Sequence, residues 1–339
     1  MCNIAGYVGS RTAAPILLEM MKKEEGFAGG YYTGIATIHE GKLYWRKVIG
    51  TVRDLLEQTD AASLPGTVGI IHSRSRSGGD VEWGHPFVNP EETLAYVANG
   101  SVGWFGNTGY LSEVCARLCA DGWNFRSANP DLPHYPACAP GKYVHVSEAM
   151  CFLIDECRKN GMSDREAMEK VFCDYPAEIV GLTVSAAEPD HITAARINMP
   201  MMIAKADDGT YMASTAIAFP EDIAFKTVYP LPVSSSACVY ADRAEIVPFK
   251  APPAPISSLL PWDEAVPAVL EKLAEGPSKL GPIIRSIKPF FEGDVFPADH
   301  LTYEILRLLK SRGKVEFTVM EDEGVTPDVL HHSFYAKLV

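Results

Sequence analysis

The second residue of the chain, Cys2, is the side chain best suited to covalent chemistry. Removal of Met1 would leave Cys2 with a thiol and a free α-amine on one carbon. An α-amine has a reference pKa of about 8, well below that of a lysine, so it can take a proton from the thiol and return it to a leaving group. A cysteine also occurs near a chain start by chance. The apolar, glycine-punctuated residues 4–9 strengthen the signal, because they predict a strand that buries this terminus.

Composition bounds the possible functions. The chain has 339 residues, enough for one large domain plus a smaller one, or for two ordinary domains. Its net charge of −13 argues against a nucleic-acid-binding surface as the main role. There is no signal-peptide pattern and no run of about 18 apolar residues, so we expect a cytoplasmic protein that does not enter a membrane.

The cysteines give no indication of a metal site. None of the eight forms a CxxC pair, and none has a histidine at zinc-site spacing. We expect the seven besides Cys2 to be free thiols in a reducing compartment, with no metal and no cofactor.

The first 250 residues contain many short segments typical of antiparallel strands. These segments alternate apolar and polar residues and are bounded by Gly, Pro or Asp. The predicted strands are 4–8, 33–38, 42–48, 67–72, 94–98, 179–184, 191–196, 201–204, 211–214, 225–230, 237–240 and 244–247. Apolar residues at helical spacing predict helices at 13–23, 110–121, 147–160 and 164–172. Ser163 and Glu166 have the spacing of a capping box. The mixture predicts antiparallel sheets covered by helices.

Two proline-rich segments interrupt this pattern. Residues 127–142 contain four prolines and no periodicity, which predicts a long loop that is either functional or a mobile insertion. Residues 251–261 predict a linker between a domain of residues 1–250 and a small domain of residues 262–339.

The small domain is expected to be mainly helical. Helices are predicted at 263–275, 278–291 and 298–311, followed by a strand at 314–320 and a possible return strand, which resembles a winged-helix arrangement. Basic residues cluster near the third helix, but acidic residues lie beside them. A solvated helix face or a protein-binding module is therefore favoured over DNA binding.

Several segments together resemble class II glutamine amidotransferase domains, which are N-terminal-nucleophile hydrolases. The strongest likeness is to the glutaminase half of glucosamine-6-phosphate synthase. The segments are MCNIAGYVG at 1–9, GYYTGIA at 30–36, IIHSRSRSGG at 70–79 with GHPF at 84–87, ANG at 98–100, and AARINMPMMIA at 194–204 with MAS at 212–214. The resemblance covers about residues 1–250. It implies an α+β fold, a four-layer αββα sandwich with the small C-terminal domain attached.

The resemblance implies a catalytic role for three residues. Cys2 would attack a carboxamide carbon and form a thioester, with its own amine relaying the proton. The side chain of Asn99 and the N–H of Gly100 would donate hydrogen bonds to the oxyanion. As a bare dipeptide, Asn-Gly is more typical of a hairpin turn.

Four further residues are expected to bind the substrate. Arg74 matches the family arginine that grips the α-carboxylate of glutamine, a role that suits its planar guanidinium. Taken alone, Arg74 would more often form a surface ion pair. Ser75, Ser77 and His85 lie in the same motifs and are predicted to line the substrate site.

Two departures from the family pattern lie close to these residues. Asn3 follows the nucleophile where the family has glycine, and its side chain is expected to narrow the pocket. The family sequence Arg-Trp-Ala-Thr-His-Gly is replaced by Arg-Ser-Arg-Ser-Gly-Gly at 74–79. The Trp and His are thereby lost, and a second arginine, Arg76, is introduced.

A third departure concerns the α-ammonium of glutamine. In the family it is bound by an aspartate, and Met150 stands at the matching position. Loss of such a charge-assisted bond costs roughly 1.5–3 kcal/mol. Glu148 and Asp131 are the candidates to replace it.

Three functions follow from the resemblance. The first is a glutaminase-type amidotransferase subunit whose ammonia is used by a partner protein, since no sugar-phosphate isomerase segment is present. The second is an amidohydrolase for a carboxylate-bearing amide other than glutamine. The third is a catalytically inactive protein that senses an amino acid and contacts a partner through its C-terminal domain. We also expect a homo-oligomer.

Overall fold

The computed structural model describes residues 2–76, 78–100, 108–251, 260–292, 297–323 and 330–339. The strands are β1 Asn3–Gly9, β2 Tyr32–His39, β3 Lys42–Ile49, β4 Val68–Arg74, β5 Phe87–Val88, β6 Leu94–Gly100, β7 Ala137–Ala139, β8 Lys142–Tyr143, β9 Ile179–Ser185, β10 Ile192–Arg196, β11 Met202–Lys205, β12 Gly209–Ala213, β13 Thr227–Pro230, β14 Ser235–Val239, β15 Ala244–Pro248, β16 Val315–Glu323 and β17 Leu330–Leu338. The helices are α1 Ala13–Glu24, α2 Val52–Gln58, α3 Thr108–Ala120, α4 Val146–Lys159, α5 Asp164–Asp174, α6 Trp262–Ala274, α7 Leu280–Ile287 and α8 Ala298–Ser311.

Two antiparallel sheets form the centre of the N-terminal region. The first has the strand order β13-β11-β12-β1-β4-β2-β3, and the second has the order β15-β14-β10-β9-β6-β5. An apolar core lies between them, formed by side chains such as Ile4 and Ile70 from the first sheet and Val97 and Leu182 from the second. The expected antiparallel sheets covered by helices are therefore present.

Helices cover the outer face of each sheet. Alternate residues of β1, such as Ala5 and Tyr7, pack with Leu17 of α1 in a second core. On the other side, Phe152 of α4 and Phe172 of α5 pack against the second sheet in a third core. The layers thus run helix, sheet, sheet, helix.

Most predicted elements are found, with small differences at their ends. The capping box of α5 is confirmed, because the Ser163 hydroxyl accepts from the Glu166 N–H and the Glu166 carboxylate accepts from the Ser163 N–H. The short helix α2 was not predicted. The proline-rich loop is less irregular than expected, because β7 and β8 pair within it.

The C-terminal region contains three helices and a two-stranded hairpin. α6, α7 and α8 surround an apolar core that includes Leu301 and Ile305, and β16 pairs with β17 from Val315 opposite Leu338. Phe27 and Ile217 of the N-terminal region also pack against this core. Most of the predicted linker, residues 252–259, lies outside the described residues. No helix in the described part of the chain is long and apolar enough to cross a membrane.

Candidate active site

The two-residue period of the strands directs three polar side chains into one end of the cleft between the sheets. In β4, Val68 and Ile70 face the inter-sheet core, so His72 and Arg74 share that face. On the second sheet, Val97 of β6 faces the inter-sheet core, so Asn99, two residues further along, also faces it. All three side chains are buried, and they lie where Cys2 leads into β1.

The backbone nitrogen of Cys2 contacts the proposed oxyanion donor directly. It donates to Oδ1 of Asn99 over 3.3 Å. This bond fixes the orientation of the amide, because Oδ1 is occupied by an N–H and Nδ2 is the group that can donate to a substrate oxygen. The predicted proximity of Cys2 and Asn99 is thus found.

His72 controls the ionisation of the nucleophile. Burial by itself raises the pKa of the Cys2 thiol, but the neighbouring imidazole of His72 and the backbone of Ser75 oppose it, and the pKa falls to about 6. The other ring nitrogen, Nε2, lies 2.9 Å from the carbonyl of Ala98. A carbonyl can only accept, so Nε2 carries a hydrogen, and Nδ1 is buried without a hydrogen-bond partner among the described residues.

Ser75 is the second group beside the thiol. Its Oγ lies 3.8 Å from Cys2 Sγ, and its backbone also helps to lower the thiol pKa. Ser77, the other serine predicted to bind substrate, lies outside the described residues.

Arg74 is buried without a carboxylate partner. Its side chain is 2% exposed, and no carboxylate of the described residues lies within 4 Å of it. The guanidinium stacks on the ring of Tyr32, donates to the carbonyl of Gly78 over 3.2 Å and lies 3.5 Å from the hydroxyl of Tyr135. A buried cation costs much free energy unless it is paired, so this site is suited to an anionic ligand.

His85 lies behind His72 in a cluster of rings. The two imidazoles stack with their centroids 3.8 Å apart, and His145 lies edge-on to His85 at 5.4 Å. Burial lowers the pKa of His85 well below its ordinary value, so the ring is neutral. The predicted substrate-binding residue is thus stacked on His72, the histidine that lowers the pKa of the thiol.

Gly100 is required by a close approach of the backbone. A Cβ at this position would lie 2.4 Å from the carbonyl oxygen of residue 178 and 2.9 Å from Cγ1 of Ile179. Only glycine lets β6 end in this position, next to Asn99.

The expectation that Asn3 narrows the pocket is wrong. Its side chain faces away from the cleft, because Asn3 lies on the same face of β1 as Ala5, and Ile4 lies on the face toward the cleft. It is fully buried, and its Nδ2 donates to the carbonyl oxygens of Glu24 and Ala28. Arg76, the second arginine, is exposed.

The residues considered for the α-ammonium lie in other surroundings. Met150 is buried in the apolar core beneath α4. Both carboxylate oxygens of Glu148 accept hydrogen bonds from the loop, from the N–H groups of Arg126 and Ser127 and from the Ser127 hydroxyl. Asp131 is exposed on the proline-rich loop.

Sequence reasoning missed two residues of the site. His72 was part of a motif but was given no role, although its spacing of two residues from Arg74 places both on one strand face. Tyr135, in the proline-rich loop, carried no signal, because its contact with Arg74 joins residues 61 positions apart.

The sequence of the chain is similar to those of known proteins. No family model matches the chain. The glutamine–fructose-6-phosphate aminotransferase (isomerizing) of Bartonella henselae is 30% identical over 220 residues, which are 64% of this chain and 32% of that protein. The enzyme of the same name from Gloeobacter violaceus is 28% identical over 251 residues, 73% of this chain and 36% of that protein. The chain thus corresponds to about a third of the length of these relatives.

Solved structures show the same fold. The glutamine phosphoribosylpyrophosphate amidotransferase of B. subtilis, complexed with ADP and GMP, aligns with a TM-score of 0.60 at 14% identity, covering 87% of this chain and 65% of that one. A structure described as the allosteric regulatory enzyme of purine biosynthesis also aligns with a TM-score of 0.60, at 15% identity, over 82% of this chain and 59% of that one.

These similarities confirm the resemblance drawn from the motifs: the chain is related to the class II glutamine amidotransferases. Within that class, its relatives by sequence are the glutamine–fructose-6-phosphate aminotransferases.

Proposed function

We propose that this protein hydrolyses the side-chain amide of glutamine with Cys2 as the nucleophile, once Met1 has been removed. The catalytic unit would be the N-terminal-nucleophile sandwich of residues 1–250, joined by a linker at 251–261 to the small domain at 262–339. The ammonia released would pass to an acceptor, which we place on a partner protein.

One observation carries the proposal. The thiol of Cys2, the amide of Asn99 and the unpaired guanidinium of Arg74 come together at one end of the inter-sheet cleft. Nucleophilic attack on an amide needs a nucleophile and an oxyanion donor, and Arg74 adds a site for the carboxylate of the substrate.

The low pKa of the thiol suggests how protons move. At neutral pH Cys2 is a thiolate, and the terminal α-amine, with a reference pKa near 8, is mostly protonated. The thiolate attacks the amide carbon and a C–S bond forms. The α-ammonium gives its proton to the leaving nitrogen as the C–N bond breaks, and ammonia departs. Water then hydrolyses the thioester to glutamate and regenerates the thiol.

A second substrate class is favoured by the surroundings of Glu148. Both of its carboxylate oxygens are used by the loop at residues 126–127, and Met150 is buried in an apolar core. A substrate amide with a carboxylate but no α-amine needs no carboxylate at position 148 or 150 to bind it. Comparing kcat/KM for glutamine and for its des-amino analogue separates the two substrates.

The proposed function is tested by mass spectrometry with 6-diazo-5-oxo-norleucine, a reactive glutamine analogue. We expect the intact mass to show loss of Met1 and the addition of one label, and Cys2→Ala to prevent labelling. Retention of Met1, or labelling that persists in Cys2→Ala, would contradict an N-terminal cysteine nucleophile.

A further inference from the structure

The residue next to the nucleophile is fixed by the C-terminal region. The hydroxyl of Tyr303, in α8, donates to Oδ1 of Asn3 over 3.1 Å, across 300 positions of sequence. Both groups are buried, at 2% exposure for Tyr303 and 0% for Asn3. Nδ2 of Asn3 is held at the same time by the carbonyls of Glu24 and Ala28. Since carbonyls can only accept, the amide orientation is determined, and Oδ1 needs a donor.

At Asn3, β1 is paired with a neighbouring strand on one side only. On one side β1 pairs with β4 up to Asn3 opposite Ser73. On the other side its pairing with β12 ends at Ala5. Beyond that point Ile4 is held by Ser214, and Asn3 is held by the α1–β2 turn and by Tyr303. Cys2 directly precedes Asn3 in the chain, so the position of Asn3 helps to determine the position of Cys2.

The C-terminal region docks on the same α1–β2 turn through two further contacts. The N–H of Phe334 in β17 donates to the carbonyl of Gly26 over 2.6 Å, and a Cβ on Gly26 would lie 2.1 Å from the Phe334 ring. Phe27 packs edge-on against Tyr303 and Phe317, with ring centroids 6.2 and 4.7 Å apart. The turn that binds Asn3 is therefore enclosed by α8 and the hairpin.

We infer that Tyr303 is a positioning residue for the Cys2 nucleophile, so that docking of the C-terminal region sets the activity of the N-terminal site. The inference rests on the proposed function. The family has glycine after the cysteine and so no side chain for such a contact, whereas this chain has an asparagine with every polar group bonded. A displacement of about 1 Å at a reacting group can cost on the order of 10² in rate.

The test is Tyr303→Phe, which removes the hydroxyl and keeps the ring. Its matched control is Tyr7→Phe. Tyr7 lies in β1 and is also buried, and its hydroxyl donates to the carbonyl of Asp208 over 2.7 Å. This bond lies at the end of the strand that is far from Cys2. We expect Tyr303→Phe to lower kcat about 10- to 100-fold with little change in KM. Tyr7→Phe should leave kcat within about twofold at a similar loss of thermal stability.

A second measurement needs no substrate. The rate of Cys2 alkylation by chloroacetamide across pH reports the position and ionisation of the thiol, and we expect Tyr303→Phe to change this profile while Tyr7→Phe does not. Asn3→Ser combined with Tyr303→Phe should be no worse than Asn3→Ser alone, since the Asn3 change already removes the acceptor of the Tyr303 hydroxyl. If Tyr303→Phe matches Tyr7→Phe in kcat and in alkylation, the inference is wrong. If the wild-type protein is not labelled by the glutamine analogue while the alkylation profiles differ as expected, the proposed function fails and the positioning role stands.

Discussion

At the scale of single residues, the thiol of Cys2 is governed by burial, which raises its pKa, and by His72, which lowers it to about 6. The thiolate population therefore rises as the pH increases through about 6. We expect the alkylation rate of Cys2 to follow that midpoint and to be flat above about pH 7.

His72→Gln should move this midpoint upward, because the imidazole that lowers the pKa of the thiol is lost while burial remains. His39→Gln is the control, since His39 is partly exposed and lies near Glu40 at the surface. Peptide mapping of the alkylated residue distinguishes Cys2 from the other cysteines. A midpoint that stays near 6 in His72→Gln would mean that another group ionises the thiol.

Asn99 is expected to serve the transition state. Asn99→Ala should lower kcat by about 10²–10³ and leave KM nearly unchanged, as loss of one oxyanion donor does. Steady-state kinetics with the true substrate check this. An effect confined to KM would make Asn99 a substrate-positioning residue instead.

Arg74 is expected to act on binding. Arg74→Lys should mainly raise KM, because an ammonium cannot reproduce the two-point contact of a guanidinium with a carboxylate. Its neighbour Arg76 is exposed, so Arg76→Lys is a matched control that should change neither constant. Carboxylate ligands that bind equally well to wild type and Arg74→Lys would remove Arg74 from the site.

At the scale of elements, strand periodicity explains what the sequence could predict. Cys2, Asn99 and Arg74 were identified from motifs, and the alternation of β4 and β6 turns Arg74 and Asn99 from opposite sheets into the cleft beside Cys2. The helix α2, at 7 residues, is too short to show helical spacing. The contact between Asn3 and Tyr303 depends on how α8 docks, which no local pattern encodes. Met150 was aligned with a ligand-binding aspartate, but a sequence match does not show which way a helix faces.

The capping box of α5 gives a prediction about stability alone. Ser163→Ala removes the acceptor for the Glu166 N–H and should cost about 1 kcal/mol of unfolding free energy. The pair is exposed and lies outside the proposed site, so kcat and KM should not change. Urea denaturation measures the first quantity and steady-state kinetics the second. A change in kcat would show that α5 influences the cleft.

At the scale of the whole molecule, the N-terminal region carries its own cores and also contacts the C-terminal region, through Asn3, Gly26 and Phe27 among others. The three apolar clusters of the sandwich are built from residues up to Phe249, while the fourth belongs to α6, α7, α8 and the hairpin. Among the described residues, the N-terminal side chains Phe27 and Ile217 pack against the fourth cluster.

A protein truncated after residue 251 should therefore fold, yet differ from the full chain in two ways. It would expose Phe27 and Ile217, so we expect a lower melting temperature by circular dichroism and more self-association by light scattering. It would also lose the Tyr303 hydroxyl that holds Asn3, so kcat should fall at least as far as in Tyr303→Phe. KM should be retained, because Arg74 and the residues that contact it all lie before residue 136. Adding Phe27→Ser should reduce the self-association without restoring kcat. Full turnover by the truncated protein would show that the nucleophile is positioned without α8, and failure to fold would show that the two regions form one cooperative unit.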